Sequence, residues 1–149
     1  MRRFHMTIER NYNHMKYWLV KSEPEEFSYQ DLQETKDTVW DGVRNYQARN
    51  YLKEMELGDL VLYYHSGKEK AIVGLAKVTE ESFLDAKDKE GKGWVAVRIM
   101  AKKLFKQQLR LDQIKMDPKL GDMLLLKQSR LSVMPVEKHE FDHIINSTS

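Results

Sequence analysis

The run Trp40-Asp41-Gly42-Val43-Arg44-Asn45-Tyr46-Gln47-Ala48-Arg49-Asn50 gathers two aromatic rings, two arginines and four amide or acid side chains around one glycine. A helix start needs one capping side chain and an apolar stripe. The surplus here, a flat ring with bidentate cations and amides, suits a planar heterocycle with a polar edge. Lys21-Ser22-Glu23 sets an amine, a hydroxyl and a carboxylate side by side, and His65-Ser66 adds an imidazole to a second hydroxyl. Nucleophilic catalysis would need a base fixed against either serine. Neither a G-x-S-x-G nor an S-x-x-K pattern is present, so these groups read as polar pocket lining. Gly91-Lys92-Gly93 is too short for a phosphate loop.

His139-Glu140-Phe141-Asp142-His143 matches H-E-x-x-H, the pattern in which two histidines one helical turn apart bind zinc. On a helical wheel, however, Phe141, Ile144 and Ile145 share one side while the histidines lie nearly opposite. A catalytic zinc also needs a third ligand in a shielded cleft, and the six residues after His143 include no His, Asp or Glu. No metal and no cofactor are expected.

The elements that must position these groups follow from pattern. Tyr17 to Val20, Leu60 to Tyr64, Ala71 to Thr79, Trp94 to Ile99 and Leu131 to Val136 read as strands. Ser28 with Asp31 marks a capped helix start after Phe27. Ala48, Tyr51, Leu52 and Met55 fall at i, i+3, i+4, i+7, which predicts a helix over about residues 45–56 with Asn45 as its cap. Leu120-Gly121-Asp122-Met123-Leu124-Leu125 echoes Leu57-Gly58-Asp59-Leu60-Val61-Leu62, so both are read as turns entering strands. The charged tract from Asp85 to Gly93 reads as a solvated loop, and Phe141, Ile144 and Ile145 anchor a terminal helix.

Size and charge bound the rest. At 149 residues with 41% hydrophobic residues, the chain supports one core. Residues 1–15 read as a loosely ordered leader and 16–149 as a single domain. The absence of cysteine excludes disulfides and thiolate metal sites, and points to a reducing compartment. No apolar run approaches the roughly 20 residues of a membrane span. Cytoplasmic placement is expected, with nucleoid association in a bacterium or a nuclear site in a eukaryote. Residues 1–14 hold Arg2, Arg3 and Arg10 against Glu9, so the totals of 25 basic and 23 acidic residues leave 22 of each sign in the remainder. An electrostatic case for nucleic acid must therefore rest on a local patch.

Trp18-Leu19-Val20-Lys21-Ser22-Glu23-Pro24, the Trp40 to Asn50 run, Tyr63-Tyr64-His65-Ser66, and Gly121-Asp122-Met123-Leu124 with Ser129-Arg130-Leu131-Ser132-Val133 together resemble the EVE domain from about Lys16 to Ile145. The resemblance implies a mixed α/β, PUA-like fold: a curled, mostly antiparallel sheet or barrel with peripheral helices, akin to YTH and ASCH domains. It further implies a non-catalytic partner of DNA or RNA that holds a modified base in an aromatic-lined pocket. Stacking such a base returns about 1–3 kcal/mol against the cost of extruding it.

Beside that resemblance, Trp40 serves either a base face or the core, whereas Trp18 is expected in the core. Gly42 and Val43 would present backbone to the base. Lys21, Ser22, Glu23, Asn45, Tyr64, His65, Ser66, Gln128 and Ser129 complete the candidate base pocket. Arg44, Arg49, Lys127 and Arg130 are the candidate phosphate contacts. The alternatives are an enzyme on a nucleotide or nucleobase derivative with Glu23 or His65 as acid or base, and a general RNA-binding accessory protein. Oligomeric state stays open.

Overall fold

A computed structural model describes residues 15–149. The expected leader, apart from Met15, lies outside the described residues. Six strands form one sheet in the order β2-β5-β4-β3-β1-β6. They are β1 (Tyr17–Ser22), β2 (Asp37–Trp40), β3 (Leu60–His65), β4 (Ala71–Leu84), β5 (Val95–Arg110) and β6 (Val133–Val136). Among the described residues only the β1–β3 pair is parallel, and β1, flanked on both sides, runs Trp18, Leu19 and Val20 as an unbroken buried series. Pro135 lies in edge strand β6, where its missing donor is tolerated.

A straight strand of β5's length would run about 53 Å. Register breaks against β4 bend it instead. One break leaves Lys102 unpaired between the rungs Leu75↔Lys103 and Ala76↔Ala101. The Tyr29 hydroxyl fills the gap, accepting from the amides of Lys102 (3.2 Å) and Lys103 (2.8 Å) and donating to the Leu75 carbonyl (2.5 Å). Gly74 makes room for that ring, since a Cβ there would stand 2.7 Å from it.

Helices pack around the sheet. After the single turn α1 (Pro24–Phe27) comes α2 (Tyr29–Thr35), opened by the reciprocal Ser28–Asp31 cap expected from sequence. Helix α3 (Tyr46–Glu54) buries Ala48 and Leu52, with Met55 just beyond its end. After β5, α4 (Leu111–Met116) and a 3-10 turn (Pro118–Leu120) lead to α5 (Leu124–Lys127), and α6 (Lys138–Ser147) closes the fold. Two sequence readings are corrected. The run entered at Gly121-Asp122, expected to be a strand before Lys127, is instead a helical turn over Leu124–Lys127, because a short apolar run packs equally well either way and Met123 and Leu125 find their burial in the turn. Strand β5 also runs well past Ile99, through polar residues that periodicity alone does not assign.

The core is fastened at one polar point. The Trp18 indole donates to Asp59 at 2.9 Å, and the same buried carboxylate accepts from the amides of Glu56 (2.9 Å) and Lys16 (3.3 Å). Burial pushes the Asp59 carboxyl up, and these donors oppose the shift. Such satisfaction is what a buried carboxylate requires.

Candidate functional site

The ends of β1 and β2, the α1 turn and the loop before β6 enclose a cleft of about 820 Å³. From β1 and the turn after it come Lys21, Ser22 and Glu23, and Ser66 follows from the end of β3. Strand β2 carries Trp40 to the wall, and the loop beyond supplies Gly42, Val43 and Arg44. Ser129 and Arg130 complete the rim. Three of these segments meet because β1 lies between β3 and β6, and the fourth arrives from β2 at the other edge of the curled sheet.

Trp40 is half-buried, and its ring stands edge-on to Tyr63 with centroids 5.4 Å apart. Tyr63 is buried completely, meets Tyr29 edge-on at 5.4 Å, and donates its hydroxyl to the Phe27 carbonyl at 2.7 Å. Burial raises the Tyr63 phenol far above its ordinary range, so it stays neutral. Trp40 is therefore the cleft-facing member of a fixed aromatic cluster, with one ring already backed by protein.

A buried carboxylate shapes the loop after Trp40. Asp85 accepts from the Gly42 amide at 2.8 Å, from Arg44 Nη1 at 2.9 Å and from the Lys87 amide at 2.7 Å. Burial works to raise this carboxyl, yet the Gly42 amide, Arg44 and the Lys87 amide together hold it below the usual carboxylate value. Gly42 adopts φ +79°, a left-handed conformation that glycine takes without strain. Its amide is committed to Asp85, and the Val43 carbonyl accepts from Arg44 at 3.0 Å. The Gly42 carbonyl and the Val43 amide carry no hydrogen bond among the described residues.

Lys21, Arg44, Lys87 and Arg130 share the wall with Glu23, Glu26 and Asp41. Lys21 Nζ donates to the Ser129 carbonyl at 2.8 Å and sits 5.6 Å from the ring centre of buried Tyr64; burial lowers its pKa. Lys87 pairs with Asp41 at 3.2 Å. Neither Lys21 nor Arg130 meets a carboxylate among the described residues.

Six candidates lie outside the cleft wall. Asn45 caps α3, its side chain accepting from the Ala48 amide at 2.9 Å. Tyr64 supports Lys21 from behind. His65 is buried, with Nε2 accepting from the Tyr29 amide at 3.0 Å and Nδ1 3.0 Å from Glu69. Gln128 ends α5, its backbone amide donating to the Leu124 carbonyl at 2.8 Å. Lys127 pairs with Asp122 at 3.6 Å. Arg49 lies against Tyr46 and Trp94 instead.

The residues that pattern did not single out are Glu26, Phe27, Thr38, Val39, Asp41, Lys87 and Ser132 in the wall, and Asp85 behind it. Asp85 and Lys87 belong to the tract expected to be merely solvated. A lone acid inside a charged run carries no signal of burial, so nothing in that tract's composition marks it. In the H-E-x-x-H segment, Glu140 accepts from the Glu137 amide at 2.9 Å and His143 Nε2 lies 2.6 Å from Asp117. Among the described residues no three metal-ligating side chains converge.

The profile of the EVE domain matches residues 16–147. Thymocyte nuclear protein 1 of Gallus gallus is 36% identical, over 87% of this chain and 67% of its own length. The human protein of the same name is 33% identical over 87% of this chain and 72% of its own. Among solved structures, protein Atu2648 from Agrobacterium tumefaciens superposes with a TM-score of 0.87 at 35% identity, covering 90% of this chain and 93% of that one. Human THYN1 in complex with 5-methylcytosine-containing DNA gives 0.82 at 32% identity, covering 90% and 98%. An ASCH protein from Zymomonas mobilis shares only the fold, at 0.57 and 15% identity. The mixed α/β fold with its curled, mostly antiparallel sheet is the one the sequence resemblance implied, and the chain belongs to the EVE domain family.

Proposed function

We propose that this protein is a non-catalytic reader of a modified base in nucleic acid. The observation that carries this reading is the half-buried Trp40 ring, braced by Tyr63, in a cleft whose wall also holds hydroxyls and the cations Lys21, Arg44, Lys87 and Arg130 beside the acids Glu23, Glu26 and Asp41. A base inserted there stacks on one face and meets hydroxyls, and at its edge the Val43 amide and the Gly42 carbonyl, which carry no hydrogen bond among the described residues. Lys21, Arg44 and Arg130 lie where the sugar–phosphate chain would leave. The human relative's complex with DNA carrying 5-methylcytosine supports this assignment and names the first probe.

The engagement of both His65 ring nitrogens argues against that residue as a proton shuttle. The test is a binding series of oligonucleotides that differ at one base, beginning with cytosine against 5-methylcytosine, at one stated salt concentration. Preference for one modification is expected, with the oligonucleotide mass unchanged after incubation. Equal affinity for every base, or turnover of any, overturns the proposal. Trp40→Ala should weaken preferred binding about 5- to 100-fold. Global unfolding of that variant would assign Trp40 to packing.

A further inference from the structure

Tyr46 is the exposed aromatic of the site region, with 62% of its surface open although it opens α3 beside the cleft. Its ring stacks on the buried Trp94 at 5.0 Å and 25°. Arg49 Cζ lies 5.0 Å from the Tyr46 centre and 5.5 Å from the Trp94 centre. With the two rings 5.0 Å apart, these three points form a nearly equilateral triangle. The guanidinium therefore runs along the shared border of the rings and leaves the outer face of Tyr46 uncovered.

One guanidinium and a braced loop adjoin that ring. Arg49 forms no ion pair among the described residues, and its Nε is buried without an acceptor. Arg44, which lines the cleft, also places its guanidinium 5.5 Å from the Trp94 centre, so cleft and platform share a wall. Asp88 ties down the loop beneath by accepting from the amides of Lys92 (3.0 Å), Gly93 (2.8 Å) and Trp94 (3.0 Å). Gly93 backs onto Arg49, where a Cβ would come within 3.6 Å of Nη1.

We propose that the outer face of Tyr46 is a second nucleotide site, which stacks the base next in the strand to the one held by Trp40 while Arg49 meets its phosphate. This rests on the reading of the cleft as a base pocket. A flat ring beside a guanidinium group suits a nucleotide, because stacking tolerates any base and the fork of arginine matches phosphate. The platform would thus add affinity for a strand without choosing its sequence.

The experiment compares two probes, 5-methyl-2′-deoxycytidine and a single-stranded DNA oligonucleotide with one 5-methylcytosine, against wild type, Tyr46→Ala, Tyr46→Phe and Trp40→Ala. Tyr46→Ala should bind the oligonucleotide about 5- to 100-fold more weakly and the nucleoside as wild type does. Tyr46→Phe should keep wild-type affinity for both. An abasic residue beside the methylated base should weaken wild type to the level of Tyr46→Ala and leave that variant unaffected. Wild-type oligonucleotide affinity in Tyr46→Ala, or an equal loss for nucleoside and oligonucleotide, overturns the platform. Insensitivity of wild type to the abasic neighbour does the same even if Tyr46→Ala fails to fold. Failure of the pocket itself shows separately, as a wild type that does not prefer the methylated probe and a Trp40→Ala variant that changes nothing.

Discussion

At the scale of single residues, Tyr29 shows how far one hydroxyl can reach. It completes the β4–β5 ladder at the Lys102 bulge, and burial raises its own pKa while the three backbone partners pull the other way. Tyr29→Phe strands two amides and a carbonyl, and is expected to lower unfolding free energy by about 1–3 kcal/mol in a urea titration. Gly74→Ala attacks the same joint from the other strand, since the new methyl overlaps the Tyr29 ring. A loss of about 1–3 kcal/mol is expected there too. The double variant should lose less than the sum, because both substitutions disturb one contact. Additive losses would show that the bulge and the ring act independently.

At the scale of elements, the site depends on a loop-to-loop clasp between Gly42–Arg44 and Asp85–Lys87. Asp85→Asn keeps the shape but loses the charge opposite Arg44. It should weaken oligonucleotide binding while altering the urea midpoint less than Tyr29→Phe does. Acid should have a related effect. The folded carboxyl sits below its ordinary value of 3.8, so the clasp's contribution is fully present above that pH. It is lost as pH falls through the lowered folded value. Binding that declines between pH 7 and 5 would implicate some other group.

This clasp also marks the limit of what pattern conveys. Helix α3 is readable from the spacing of Ala48, Leu52 and Met55 and from the Asn45 cap, since those contacts are local. Gly42 and Asp85 lie 43 residues apart, and only the pairing of β2 with β5 brings their loops together. The run entered at Gly121-Asp122 folds as a helical turn and not as the expected strand, because its few apolar residues hold too little periodicity to decide.

At the scale of the whole molecule, the small number of cations near the cleft without a carboxylate partner among the described residues predicts shallow salt dependence. Lys87, Arg44 and Lys127 already face carboxylates, whereas Arg49 and Arg130 do not among the described residues. A slope of log K against log salt of about −1 to −3 follows for a single strand, at roughly −0.7 per phosphate neutralised. Arg49→Ala should make it shallower by about 0.7. An unchanged slope would remove Arg49 from the phosphate path. The three tryptophans, finally, are distributed in a way that makes the protein its own optical probe. Trp18 is sealed against Asp59 and Trp94 lies beneath Tyr46, so cleft occupancy alone should leave the emission of both nearly constant. Trp40 faces the cleft, and a base stacked on it should quench its light. A titration of unlabelled nucleoside, followed by the fluorescence of wild type and of Trp40→Phe, would report occupancy without any attached dye.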